Sequence, residues 1–236
     1  MNDANRATVA EFIGTFTLVF VGALAGALAG RNGGGIVAVA LAHGVALMVI
    51  IYTWGAVSGA HVNPAVTLGV ALAGRIGWSR AVSYWVAQFV GAAVAAYLVL
   101  YLAGAESGLG ATVGDLTPHG ATAGDPFKVV VLEAILTFFL VASVFASGIA
   151  NRNTNLAGVA IGFVLIMDIL AGGQLTGASM NPARTFGPAL ALNDWSYLPL
   201  YVFGPALGAA AAALLYHWWF MPEVTADPAA PGKRHK

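Results

Sequence analysis

Apolar positions in this chain come in long blocks and not in alternation. Six blocks stand at 7–29, 36–54, 81–103, 127–150, 156–172 and 195–220. Each is near the roughly 20 residues a helix needs to cross a hydrocarbon layer about 30 Å thick. Residues 19–30 and 92–102 are apolar all round, whereas the strands of a membrane barrel would alternate with period two. The pattern therefore predicts six transmembrane helices. Ala-Leu-Ala-Gly at 27–30 looks like a leader cleavage site. However, only Arg6 precedes the first block, Glu11 sits inside it, and a copy of it occurs further on, so it reads as a retained span.

That copy is part of a duplication. Ser58-Gly-Ala-His-Val-Asn-Pro-Ala-Val-Thr-Leu-Gly69 recurs as Thr176-Gly-Ala-Ser-Met-Asn-Pro-Ala-Arg-Thr-Phe-Gly187, half the 236-residue length further along. Glu11-Phe-Ile-Gly-Thr-Phe16 returns as Glu133-Ala-Ile-Leu-Thr-Phe138, and Gly91-Ala-Ala returns as Gly208-Ala-Ala. Each half holds three spans, so the second copy enters the membrane from the opposite side, which makes an inverted-topology repeat. Segments 63–73 and 181–192 are too polar for a full span and too apolar for an aqueous loop. About ten helical residues rise ~15 Å, half the layer. Asn followed by Pro is a helix start, with Asn as cap and Pro in the first helical position. Two re-entrant half-helices, entering from opposite faces, would meet N-terminus to N-terminus at the midplane. Irregular backbone at that depth is tolerated only inside protein or against a cavity. With its oxygen capping the helix, each of Asn63 and Asn181 would have its NH2 free to point into that cavity.

Composition narrows the class. Only 8% of residues are charged and 59% are hydrophobic, against about a quarter charged in soluble domains. Ten Lys+Arg balance ten Asp+Glu, which leaves no basic stripe for nucleic acid. There is no cysteine, so disulfides, thiol catalysis and Cys-ligated metals are excluded. With the N-terminus cytoplasmic, the cytoplasmic side holds Arg6, Arg75, Arg80, Arg152, Lys233, Arg234 and Lys236, and the other side only Arg31 and Lys128. That asymmetry obeys the positive-inside rule and puts both termini in the cytoplasm. The chain reads as one transmembrane domain, 1–221. Its repeats are 7–103 and 127–220, joined by an extracytoplasmic loop at 104–126, and a Pro-bearing tail follows at 222–236.

Paired Asn-Pro-Ala motifs in a six-span inverted repeat resemble the aquaporin (major intrinsic protein) family, over roughly 8–220. The resemblance implies an all-α, right-handed membrane bundle of six helices and two half-helices. It also implies a passive pore in every protomer, a homotetramer in the cell membrane, and no cofactor. Pores of this type select by diameter, hydrogen-bond partners and an electrostatic barrier. The family's outer constriction maps onto His43, Ile169, Ala178 and Arg184, a set most similar to that of plant tonoplast intrinsic proteins. In those a loop histidine also reaches the pore mouth, which makes His119 a candidate. With Ile169 where water-selective members carry histidine, the constriction should be wider and drier. The expected permeants are water and small neutral solutes, with ammonia first and urea and glycerol as further candidates.

The remaining intramembrane polar residues divide by role. Glu11 and Glu133 occupy matching points of the repeat and read as buried acids bonding the re-entrant backbone, with a proton relay as the alternative. His61 braces the first re-entrant loop. His43 either holds a neighbour as neutral imidazole or acts as a pH-sensitive filter element. Asp168, beside Ile169, has no assigned role; it would orient Arg184 or His43, or face a subunit contact. The glycines at 22, 26, 30, 91 and 208 read as close helix packing. A secondary transporter is the alternative to a channel, since midplane broken helices in inverted repeats also describe that class. An enzyme is disfavoured: His43, His61, Glu11 and Glu133 lie on separate segments without ligand spacing, so neither a metal site nor an acid–base site is expected.

Overall fold

The computed structural model describes residues 3–29, 33–114, 125–150 and 154–221. Its helices are α1 Asp3–Leu28, α2 Gly35–Ser58, α3 Pro64–Leu72, α4 Trp78–Ala103, α5 Pro126–Ser143, α6 Ala157–Thr176, α7 Pro182–Leu192 and α8 Leu198–Leu215. Two π-helical turns, Val144–Ile149 and Tyr216–Phe220, prolong α5 and α8. The six long helices are apolar enough to cross a membrane, and α3 and α7 are the short ones. No strand occurs among the described residues.

Several helices outrun their apolar blocks. α1 begins at Asp3, α2 runs on to Ser58, and α6 runs on to Thr176. Polar residues did not end α2 and α6, because Ser58 and Thr176 are each bonded to a buried carboxyl group. Both helices stop instead one residue later, at Gly59 (φ 88°) and Gly177 (φ 84°), whose amides return to Gly55 and Gly173. Glycine takes this left-handed end without the penalty a Cβ brings. The half-helices begin as expected. Asn63 and Asn181 have extended backbones, each side chain accepts from the amide two residues on, and Pro64 and Pro182 fill the first helical position.

The same packing device serves both halves. α1 lies along α4 and α5 along α8. A Cβ on Gly91 would come within 2.6 Å of the Phe12 carbonyl oxygen, and one on Gly208 would meet the Ala134 carbonyl closer still. The halves join where α2 crosses α6. There Gly44 and Gly162 face each other, each with its missing Cβ occupied by the other's carbonyl oxygen at 2.6 and 2.7 Å. Lipid tails supply no hydrophobic drive between helices, so close backbone contact must hold them together.

Substituting Gly208→Val should separate α5 from α8 and abolish the monodisperse species seen by size exclusion in detergent. Gly148→Ala, where a Cβ meets nothing within 4 Å, should leave elution and thermal unfolding unchanged.

Candidate functional site

The two loops that lead into the half-helices are strained in the same way. Ala60 and Val62 have φ of 49° and 42°, and Ala178 and Met180 have φ of 44° and 53°. None is glycine, and the left-handed region costs an L-residue roughly 1–2 kcal/mol. Two buried side chains hold these turns. Glu11 accepts from Ser58 Oγ (2.7 Å), His61 N (2.9 Å), Val62 N (2.7 Å) and Gln88 Nε2 (2.8 Å). Glu133 accepts from Thr176 Oγ1 (2.7 Å), Ser179 N (3.0 Å) and Met180 N (2.7 Å). Three of the donors match position for position across the repeat, Ser58 with Thr176, His61 with Ser179 and Val62 with Met180, while Gln88 has no counterpart. Both acids are fully buried and neither is ion-paired; the one ion pair among the described residues is the exposed Arg6–Asp3 contact. His61 braces its loop through Nδ1 and Thr67 Oγ1, 3.1 Å apart.

The asparagine amides depart from expectation. Asn63 Nδ2 donates to the carbonyl of Met180 at 2.8 Å, and Asn181 Nδ2 donates to the carbonyl of Val62 at 2.9 Å. Each half-helix cap is thus bonded crosswise to the other half's loop. An amide NH2 carries two hydrogens, so the lock uses one and leaves one, where the spacing alone had suggested a fully free group. Meanwhile Asn63 Oδ1 caps Ala65 N, and Asn181 Oδ1 caps Ala183 N and Arg184 N.

A cavity of about 680 Å³ runs past these groups. Its lining includes Arg75 and Arg80 beside the C-terminal end of α3, Asn63 and Asn181, and His43 and Arg184. His43 is held by Nδ1, which donates to the Val39 carbonyl at 2.8 Å. Nε2 is then the acceptor of the neutral ring, and it has no partner. The ring leans on Gly22, where a Cβ would collide with it. Arg184 is 6% exposed, and its Nη1 has no hydrogen-bond partner. Ile169 and Ala178 are buried near Gly172 and Gly173 and are not among the residues that face the cavity. His119 lies outside the described residues.

Asp168 orients neither His43 nor Arg184. It is 1% exposed, and both of its carboxyl oxygens lack a partner. It faces no subunit contact either, since it is buried within one protomer. The matching residue of the first repeat is Ile50, 1% exposed and packed on α1 near Gly14. The fold thus takes an apolar residue at this point, and nothing in the structure explains the acid.

Sequence reasoning missed three parts of the site. Gln88, fully buried, links Glu11 to Thr67 Oγ1 at 3.0 Å. A chain of hydroxyls runs from Thr112 to Thr185 (2.9 Å) and on to Ser179 (2.7 Å) behind the second motif. Tyr201 takes the amide of Gly114 and donates to the Thr176 carbonyl, tying the outer loop to the second motif. Gln88 is the one of these with a signal, an amide inside an otherwise apolar span.

Residues 1–216 match the sequence family described as Major intrinsic protein. The chain is 43% identical over 241 residues to probable aquaporin TIP3-2 of Arabidopsis thaliana, covering 96% of this chain and 88% of that one. It is 41% identical over 227 residues to probable aquaporin TIP2-2 of Oryza sativa subsp. japonica, covering 92% and 88%. With aquaporin TIP1-2 of Musa acuminata the identity is 40% over 240 residues, covering 97% and 92%. Among solved structures, the aquaglyceroporin of Plasmodium falciparum superposes with a TM-score of 0.76 over 93% of this chain and 98% of that one, at 24% identity.

Two stability measurements follow from the site. Glu133→Gln replaces one carboxyl oxygen by an NH2, so a donor faces the amide of either Met180 or Ser179, and stability in detergent should fall by about 1–3 kcal/mol, the cost of a buried group left unsatisfied. Asp168→Ile, the residue of the matching position, should raise stability by about 1–3 kcal/mol, the cost of an unsatisfied buried polar group. A fall in its thermal midpoint would mean that the acid has a partner.

Proposed function

The chain belongs to the major intrinsic protein family, and from that premise we propose how its own residues select what passes. As a member it is a multi-pass membrane channel for water and small solutes, passive in operation, and not an enzyme. The observation that carries the finer reading is the cavity that runs past Asn63 and Asn181 to His43 and Arg184.

In this reading the second hydrogen of each asparagine amide meets the oxygen of a passing molecule at mid-pore. The N-termini of α3 and α7 point at the same place, and their positive dipole ends oppose protons and cations. Arg184 offers donors at the outer constriction and adds a full positive charge. His43, neutral and fixed through Nδ1, presents an acceptor beside it. Ile169 and Ala178, assigned to the constriction by the family resemblance, bring no second polar group to it, although neither lines the cavity itself. A constriction with few fixed hydrogen bonds admits small solutes that demand few, so the permeants are water and ammonia, with urea and glycerol as further candidates. His119 is assigned to the outer mouth by the resemblance to tonoplast intrinsic proteins alone.

A coupled transporter would need a charge free to bind an ion at the midplane. Glu11 and Glu133 are the acids nearest to that role, and four and three protein donors respectively occupy them. That supports the channel over the secondary transporter, and a structural role over a proton relay. We further assign one channel domain over 1–221, a homotetramer in the cell membrane, and both termini to the cytoplasm. No cofactor, metal or nucleic acid enters this reading.

Stopped-flow light scattering on proteoliposomes tests it. Water and ammonia permeability should exceed those of empty vesicles, with the low activation energy of a pore. His43→Phe combined with Ile169→His should cut ammonia flux and spare water; equal loss of both would sink the solute assignment.

A further inference from the structure

The end of the cavity at Arg75 and Arg80 has a charge pattern that conduction of neutral solutes does not use. Arg75 and Arg80 line it, as does Tyr84, which donates to the Ser58 carbonyl. The only formally charged residues among those lining the cavity are these two and Arg184; no Asp or Glu lines it. Neither mouth arginine forms an ion pair among the described residues. Arginines that serve only as positive-inside anchors reach outward to lipid headgroups, whereas these two border the lumen.

Their backbone is built to stay in place. After α3 the chain turns through Gly74 at φ 69°, and the amides of Ala73, Gly74 and Arg75 return to Gly69, Ala71 and Val70 at 3.0–3.1 Å. Arg75 therefore sits on a short, bonded connection, and Arg80 in the first turn of the helix that follows it. α4, which starts at Trp78, has no side-chain cap at Gly77, so no capping side chain accepts from its first amides. The guanidinium fork matches phosphate geometry bidentately. A dianion neutralises both forks at once, where chloride neutralises one.

We propose that Arg75 and Arg80 form a binding site for a phosphate-class dianion, either the free ion or a lipid phosphomonoester headgroup, and that its occupant obstructs the mouth of the cavity. The proposal rests on reading the cavity as the conducting path. It adds a ligand and a means of regulation to a pore whose permeants are neutral.

The test reconstitutes the full chain in phosphatidylcholine vesicles in phosphate-free buffer and measures osmotic water permeability. Inorganic phosphate then replaces chloride on both sides at constant ionic strength. In a parallel arm, phosphatidic acid replaces part of the lipid with no phosphate in the buffer. A saturable loss of protein-dependent permeability is expected in at least one arm, and the arm that responds names the source. Arg75→Gln and Arg80→Gln, each compared with its own phosphate-free value, should raise the half-effect concentration about tenfold, equivalent to ~1.4 kcal/mol. Arg75→Lys, which keeps the charge and loses the fork, should fall between. Fluorescence of Trp78, on the same turn and 6.4 Å from Trp85 between ring centroids, gives a binding readout in detergent that needs no flux. Phosphate should change it saturably and chloride should not. No response in either arm and no fluorescence change would overturn the proposal, as would an equal response to chloride. If the vesicles show no water permeability above empty ones, the channel reading fails, and the fluorescence titration still decides the site.

Discussion

A backbone amide placed in hydrocarbon has no water to bond, and the rest of this molecule is arranged around two places where that problem is acute. At Ala60–Val62 and Ala178–Met180 the chain is neither helix nor strand, four residues sit in the left-handed region, and the surroundings are buried. The carboxyl groups of Glu11 and Glu133 gather the amides there, and no other interaction in the structure could replace them without adding a polar group of its own. Once those loops are held, Asn63 and Asn181 are in position to cap, α3 and α7 start at the same depth, and a cavity can pass between them. Even the helix lengths follow, since Ser58 and Thr176 extend α2 and α6 to reach the same two acids.

Much of this was legible from the chain. The repetition of the Asn-Pro-Ala segments and of the Glu-x-x-x-Thr spans gave the topology, because a three-span unit copied once must invert. The pairing of Glu11 and Glu133 with irregular backbone followed from their matching positions. What escaped the sequence was where the donors go. Nothing in the identity of Met180 or Val62 reveals that their carbonyls accept from the opposite asparagine, since that depends on φ values that L-residues seldom adopt. Nor does an apolar count reveal that Ile169 and Ala178 stand back from the cavity while His43 borders it. Those are matters of where a side chain leans, which neighbours decide. The family resemblance supplied the four constriction positions; the spacing of residues alone did not.

The internal repeat also separates scaffold from specialisation. Positions that are the same in both halves, Asn63 and Asn181, Pro64 and Pro182, Thr67 and Thr185, Gly69 and Gly187, are those that shape the loops and half-helices. Positions that differ mark where the two halves diverge. Val66 is matched by Arg184, His61 by Ser179, and Ile50 by Asp168. By that comparison Arg184 is an addition to the fold, and so is Asp168, although only the arginine borders the cavity.

The crosswise bonds of the asparagine amides have a consequence for assembly. The Asn63 amide is completed by the Met180 carbonyl, and the Asn181 amide by the Val62 carbonyl. Neither re-entrant loop can therefore reach its final state while its half is alone in the bilayer. The first half stays unfinished at its centre until more than a hundred further residues have been made. The two loops complete each other, so neither is finished without the other half.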